Sequence, residues 1–221
     1  MSKKAVILGT AHGINTPGKC SPDKKFREYK YSREIVSQLK AELKAEGLDV
    51  YVDIASDEVP AVQQKELAGR CAIVNNVCKA YGAANCIYVS IHVNAAGNDG
   101  QWRSAGGWSA YTSRGNTKSD TLATKLYEAA QTCLADYAKA MEAGKKTGAY
   151  DSKQKPFRTD YSDGDADLES NFYVLVHTSC PAVLTENLFQ DNKADVAFLD
   201  SDSGRKAIVS LHKKGIMSYF E

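Results

Sequence analysis

The sequence predicts a single α/β domain built on a largely parallel β-sheet. Short apolar runs alternate with amphipathic stretches along the chain, which is the pattern of strands connected by helices. The length of 221 residues suffices for one domain with a sizeable core, but not clearly for two. Because no internal repeat or Pro/Ser-rich linker interrupts the pattern, we expect one domain over residues 1–221.

The first half of the chain alternates strands and helices. Apolar runs predict strands at AVILG (5–9), VYVDI (50–54) and CIYVSIHV (86–93). Apolar residues three or four positions apart predict a helix before Gly47 and another that ends near Gly82, since glycine is a common helix stop. This order of strand, helix, strand, helix, strand is typical of a parallel sheet.

The second half carries three further predicted strands. GGWSAYT (106–112) is expected at a sheet edge, and FYVLV (172–176) and AVLTENL (182–188) are separated by a turn at Pro181. The spacing of apolar residues from Leu122 to Tyr137 predicts one helix, and a last helix is expected over about 203–219.

The stretch of about 139–169 is polar and lacks periodicity, so we expect a solvated surface insertion there. It contains YSDGDADLE, whose acids resemble a calcium loop. Their spacing does not fit the EF-hand pattern, and the interpretation as plain surface is therefore preferred.

Composition excludes several functional classes. The formal net charge is +1 and no stretch is strongly basic, so nucleic acid and anionic membrane surfaces are poor partners. The apolar run in MSKKAVILGTAHG is too short for a secretory signal or a membrane span, and we expect neither. The six cysteines form no C-x-x-C pair, so we expect reduced, mostly buried thiols.

Four chemically reactive side chains are expected at one edge of the sheet. His12, His92 and Glu186 follow or end predicted strands, and Glu28 lies just before the first predicted helix, at its N-terminus. In open α/β sheets, ligands bind beyond the carboxyl ends of the strands. These residues should therefore converge.

Each member of this set also has an ordinary structural explanation. A histidine that ends a strand is commonly a hydrogen-bonded structural residue, and Glu28 could be a solvated carboxylate favoured by the helix dipole. Glu186 follows the apolar run PAVL (181–184), so it is expected in the core, where its carboxylate must be paired or must hold a metal or a proton. Together, two histidines and a carboxylate are a common catalytic zinc set, and a further carboxylate can take a proton from water.

The chain resembles the zinc-dependent N-acetylmuramoyl-L-alanine amidases of the bacterial autolysin and phage lysin type, with an amidase-3-like catalytic domain. The resemblance covers most of the chain, and its motifs occur in the family's order: GTAHG (9–13), Glu28 before a helix, ELAGRCAIVN (66–75), SIHVNA (90–95), PAVLTENLF (181–189), and finally Gly215, Ile216 and Tyr219. Two details depart from the family pattern. Leu8–Gly9–Thr10–Ala11 replaces the usual Asp-Pro-Gly before the first histidine, and the Ser-Asn pair that usually follows the glutamate motif is only partly kept.

The resemblance implies a twisted, mostly parallel six-stranded sheet flanked by helices on both faces. It implies that His12, Glu28 and His92 bind Zn²⁺ and that Glu186 is the catalytic acid/base. Asn94 is a candidate for orienting the site or contacting substrate, and His177 is a weaker candidate for a substrate hydrogen bond.

The implied function is hydrolysis of the amide between N-acetylmuramic acid and L-alanine in peptidoglycan. Two alternatives remain: a zinc peptidase that cuts within the stem peptide, and an inactive peptidoglycan-binding protein on the same fold. We expect a monomer that acts on the cell wall or in the periplasm, reached by phage-type release, by non-standard export or from a leader absent in this sequence. The segment 139–169 is expected to border the substrate groove.

Overall fold

The computed structural model describes residues 3–221 and has the predicted α/β architecture. In this part of the chain six strands form one sheet in the order β2-β1-β3-β6-β4-β5. Their bounds are β1 Ala5–Thr10, β2 Asp49–Val52, β3 Cys86–Asn94, β4 Ser109–Thr112, β5 Leu168–Glu169 and β6 Ala182–Phe189.

The sheet is mostly parallel, as the sequence predicts. Strand β1 pairs in parallel with β2 and β3, and β3 pairs in parallel with β6. Strand β4 runs antiparallel to β6, and the short β5 is parallel to β4. All six residues of β1 are buried, as expected of a central parallel strand covered on both faces.

Helices cover both faces of the sheet, also as predicted. On one face α1, α3 and α7 pack over a large apolar core, and on the other α2 and α5 cover a smaller one. The bounds are α1 Glu28–Ala45, α2 Gln63–Tyr81, α3 Lys118–Cys133, α4 Ala135–Thr147, α5 Tyr173–Val176, α6 Lys193–Asp200 and α7 Asp202–Phe220. No helix within residues 3–221 is long and apolar enough to cross a membrane.

The prediction of a strand at 172–176 is wrong, because this segment forms the one-turn helix α5. A short apolar run cannot be assigned to a strand or a helix by periodicity alone, and here Val174 and Leu175 bury neighbouring positions against α2. The sixth strand is instead β5, which lies outside β4. The prediction that β4 lies at the edge of the sheet is therefore wrong.

The helix predicted around 122–137 is two helices, which meet at Leu134 and continue to Thr147. The description of 139–169 as aperiodic is thus wrong for its first nine residues. Helix α6 was also not predicted. The residue before it, Asn192, caps the helix because its side chain accepts hydrogen bonds from the amides of Ala194 and Asp195.

Much of segment 139–169 is tied to the core. The hydroxyls of Tyr137 and Tyr150 both donate to Oδ1 of the buried Asp195, at 2.9 and 2.6 Å. The amide of Trp108 donates to the carbonyl of Pro156, so the chain after Tyr150 runs beside β4. After α4, the stretches 151–155 and 160–164 are mainly exposed, so the predicted solvated surface holds for these two stretches.

Candidate metal centre and active site

The four predicted side chains converge at the carboxyl end of the sheet. His12 lies two residues after β1, His92 lies in β3, and Glu186 lies in β6 directly opposite His92 in the parallel register. Glu28 is the first residue of α1 and reaches both histidines. The topology therefore brings together residues from four separate parts of the chain.

Glu28 is the centre of this arrangement. Its Oε1 accepts a hydrogen bond from the Val93 amide at 3.1 Å and lies 3.2 Å from Nδ1 of His92. Its Oε2 lies 3.5 Å from Nε2 of His12 and is buried without a hydrogen-bond partner. Glu28 is only 1% exposed, so the interpretation as a solvated carboxylate at a helix start is wrong.

His12 is held in an unusual backbone conformation with φ 47°. This left-handed region is unfavourable for a residue that has a Cβ, so surrounding contacts must maintain it. The carbonyl of His12 accepts hydrogen bonds from Arg33 at 2.9 Å and from Arg70 at 3.4 Å. Arg70 is itself fixed by ion pairs with Asp53 and Glu66 at 2.7 and 2.9 Å.

The backbone of His92 is fixed from β6. The side-chain amide of Asn187 donates to the carbonyl of His92 at 3.0 Å, and Trp108 Nε1 donates to the Asn187 oxygen at 2.9 Å. Leu188, the next residue, has φ 64°, and the β3–β6 register shifts just beyond His92. This irregularity ends the regular pairing beside the site.

The donor set of His12, Glu28 and His92 fits a metal ion. One donor atom from each lies within 4.8 Å of the other two. In a tetrahedral zinc site the donor atoms are about 3.4 Å apart. His92 Nδ1 lies 3.2 Å from Glu28 Oε1, and His12 Nε2 lies 3.5 Å from Glu28 Oε2. Burial lowers the pKa of His12 to about 3, so its imidazole is neutral at physiological pH and has a lone pair for a metal. A metal would also satisfy the unpartnered Oε2 of Glu28.

Glu186 lies beside this group without an ion-pair partner among the described residues. Its Oε2 is buried and has no hydrogen-bond partner. Burial raises the pKa of Glu186 well above its ordinary value, and the negative charge of Glu28 adds to the effect. A carboxyl group in such an environment can hold or release a proton during a reaction.

A cleft of about 320 Å³ opens over these residues. Its walls include His12, His92 and Glu186, together with three residues that the sequence did not single out: Lys19, Phe172 and Tyr173. Lys19 follows the first histidine in a loop without a recognisable motif. The two aromatic residues were missed because their segment was predicted as a strand. None of residues 139–169 lines this cleft, and the place of the segment beside the substrate groove stays a prediction.

The family model described as N-acetylmuramoyl-L-alanine amidase matches residues 6–218. The chain belongs to this family. The match confirms the family resemblance and the enzyme class that the motifs predict.

Solved members of the amidase family share the whole fold. The CwlD amidase from Clostridioides difficile, solved in complex with the GerS lipoprotein, has a TM-score of 0.74 at 20% identity, with 99% of this chain and 98% of that chain covered. The catalytic domain of CwlV, an N-acetylmuramoyl-L-alanine amidase from Bacillus (Paenibacillus) polymyxa var. colistinus, gives 0.71 at 19% identity, with 98% of each chain covered. At these identities the likeness establishes the fold.

A shorter sequence match links the chain to the endolysin of Bacillus phage SPP1. The two are 54% identical over 43 residues, which make up 20% of this chain and 16% of the endolysin. The match therefore spans only a small part of that relative's length.

The two remaining predicted residues lie away from the walls of the cleft. Asn94 ends β3, and its side chain turns back to accept a hydrogen bond from the Ala95 amide at 2.8 Å. The prediction that His177 lies on a strand is wrong, because it follows helix α5. Its ring stacks on that of Tyr173, with the ring centroids 3.9 Å apart. Through Tyr173 it supports the wall of the cleft.

The family motif at 66–75 also has a structural explanation. Arg70 supports the backbone of His12, as described above. Asn75 donates to the carbonyl of His177 at 2.9 Å and accepts from the Ser179 amide at 2.8 Å. Helix α2 thus anchors both the first histidine and the turn that leads into β6.

Proposed function

We propose that this chain is a zinc-dependent N-acetylmuramoyl-L-alanine amidase that hydrolyses the amide between the lactyl group of N-acetylmuramic acid and L-alanine in peptidoglycan. The observation that carries the proposal is the buried Glu28 between two histidines, with the unpaired Glu186 beside them. Membership of the amidase family supports the choice of substrate.

In this proposal His12, Glu28 and His92 hold the metal. When bound, Zn²⁺ supplies a Lewis acid that polarises the scissile carbonyl and acidifies water. The neutral imidazole of His12 and the carboxylate of Glu28 suit this role, because zinc prefers nitrogen and carboxylate ligands.

Glu186 acts as the acid/base. It accepts a proton from the attacking water and then donates that proton to the nitrogen of the departing L-alanine. Its place opposite His92 on the neighbouring strand puts it beside the metal ligands, while its unpartnered Oε2 leaves an oxygen available for the proton.

The bond that is cut distinguishes this proposal from the alternatives. Purified peptidoglycan is incubated with the protein, and the products are identified by mass spectrometry. We expect new amino groups on L-alanine and intact stem peptides. Cleavage inside the stem peptide would identify a peptidase, while binding without cleavage by the zinc-loaded protein would identify an inactive binding protein.

The metal requirement has its own test. Metal analysis of the purified protein is expected to find about one zinc per chain, as is usual for a three-ligand catalytic site. A strong chelator should abolish turnover, and added zinc should restore it. Full turnover after verified removal of metal would contradict the proposal.

The site of action follows from the proposed substrate, since peptidoglycan lies in the cell wall. We also propose a monomer, because one chain supplies all four residues of the site and the reaction needs no second copy. Light scattering of the zinc-loaded protein at assay concentration tests the monomer, and a dimer mass would contradict it.

A further inference from the structure

We propose that Asp120, Asp165 and Asp167 form a binding site for a divalent cation of the calcium class, separate from the catalytic cleft. One carboxylate oxygen from each residue lies within 4.8 Å of those of the other two. Calcium binds oxygen at 2.3–2.6 Å, so two oxygens on one ion are at most about 5 Å apart. The three carboxylates therefore fit around a single ion.

The strongest support comes from Asp167, which is 2% exposed. Its Oδ2 accepts a hydrogen bond from the hydroxyl of Thr112 at 2.5 Å, but its Oδ1 is buried and has no hydrogen-bond partner. The Asp167 amide donates to Oδ1 of Asp165 at 3.3 Å, which keeps the two side chains together. A buried carboxylate oxygen without a partner is costly, and a cation beside it removes that cost.

No basic side chain neutralises this group. Among residues 3–221, no ion pair joins any of the three carboxylates to a lysine, arginine or histidine. The clustered negative charge is therefore an electrostatic environment that a cation would stabilise.

The donors identify the class of cation. All three side chains offer oxygen, which suits calcium and does not favour zinc, whose protein ligands are mainly nitrogen and sulfur. The remaining coordination positions would go to water and backbone carbonyls, since calcium takes six to eight oxygens. Asp120 also serves the capping box of α3, where it accepts hydrogen bonds from Thr117, and its carboxylate has further lone pairs for an ion.

The position of the site gives it a structural consequence. Asp165 and Asp167 lead directly into β5, which pairs with β4 at Tyr111 and Thr112. The chain then enters the segment that contains Phe172 and Tyr173 in the cleft wall. A cation bound here would fix the start of this segment to α3 and β4.

The test uses the full, zinc-loaded chain, so that the catalytic ligands are already occupied. Calcium-free protein is titrated with CaCl₂ by calorimetry, and its melting temperature is recorded. We expect one calcium per chain with a Kd of about 10⁻⁴–10⁻³ M, the range of exposed extracellular sites. At ten times the Kd, the melting temperature should rise by about 3–5 °C.

Two matched variants locate the site. Asp165→Asn should weaken calcium binding at least tenfold and remove the rise in melting temperature. Asp163→Asn removes the same charge from the same exposed loop but lies outside the cluster, so its Kd should stay within twofold of wild type. If the Asp167→Asn variant folds, it should also lose calcium binding. If it does not fold, the result for Asp165→Asn tests the proposal.

Absence of calcium binding to the wild-type protein would overturn the proposal. Equal weakening by Asp163→Asn and Asp165→Asn would also overturn it, because the effect would then follow the charge of the loop and not the cluster. Neither outcome depends on amidase activity, so the test can overturn the calcium site without affecting the proposed function.

Discussion

Two regions of this molecule use histidine in opposite ways. At the rim of the sheet, His12 and His92 direct ring nitrogens at the buried Glu28, which keeps one oxygen without a hydrogen bond. In the core between β6 and α7, His212 is fully buried. Its Nε2 bonds the hydroxyl of Thr185 at 2.9 Å and its Nδ1 bonds the carbonyl of Ile208 at 2.7 Å.

A ligand histidine and a structural histidine differ in whether their ring nitrogens are already satisfied by neutral groups. Both nitrogens of His212 are satisfied by neutral groups, so nothing remains for a metal or a substrate. The rim histidines face a carboxylate with unused capacity and are 17–18% exposed to the cleft. Changes at the rim should therefore affect metal and turnover, whereas changes at His212 should affect stability.

The largest effect is expected from His92→Ala. With one of three proposed ligands removed, zinc per chain and turnover should both fall to background. Metal analysis and a peptidoglycan release assay measure the two quantities. His177→Ala is the matched control, because it removes an exposed histidine outside the cleft lining and should retain zinc. Retention of one zinc per chain in His92→Ala would exclude it as a ligand.

The next effect is expected from Glu186→Gln. Glutamine keeps the size of the side chain but cannot accept the proton, so turnover should fall by roughly 10²–10⁴. Zinc content and melting temperature should stay near those of wild type, because Glu186 is not proposed as a ligand. If the variant loses zinc, or turns over normally with zinc bound, the assigned acid/base role is wrong.

Much of the rim could be predicted because it depends on strand ends. His12, His92 and Glu186 follow apolar runs, and in a parallel sheet those ends meet at one edge. The wall of the cleft could not be predicted in the same way. Phe172 and Tyr173 lie in a short apolar run whose conformation is decided by packing against α2, a contact between residues far apart in sequence.

The acidic cluster was missed for a related reason. Asp165 and Asp167 were visible as a calcium-like stretch, but the third carboxylate comes from Asp120 at the start of α3. A motif within one loop cannot include a residue from a distant part of the chain. The support of His12 by Arg70 was missed for the same reason, because Arg70 is held by an ion pair with Asp53, which follows β2.

A smaller effect, confined to stability, is expected from His212→Ala. Removing a fully buried side chain leaves a cavity and two lost hydrogen bonds, which should lower the free energy of unfolding by roughly 2–4 kcal/mol. Zinc content and turnover at a temperature where the variant is folded should match wild type. Lys214→Ala, an exposed change on the same helix, is the control and should alter stability little. A selective loss of zinc in His212→Ala would contradict the division between the two regions.

The smallest effect is expected in the pH dependence of the stability that His212 contributes. Burial lowers the pKa of His212 to about 4 from the ordinary 6.5, although the Ile208 carbonyl opposes the shift. The unfolded chain therefore binds a proton at this residue at a higher pH than the folded chain does. The stability that neutral His212 contributes is fully present above pH 6.5 and is lost as pH falls towards 4.

The stability difference between wild type and His212→Ala should consequently shrink by up to about 1.4 kcal/mol per pH unit within this window. Urea unfolding at pH 7, 6 and 5 measures it, with both proteins free of metal so that zinc release does not contribute. Lys214→Ala keeps the histidine and should run parallel to wild type. A difference that stays constant from pH 7 to 5 would mean that His212 titrates alike in the folded and unfolded chains, so that its burial does not disfavour the charged form.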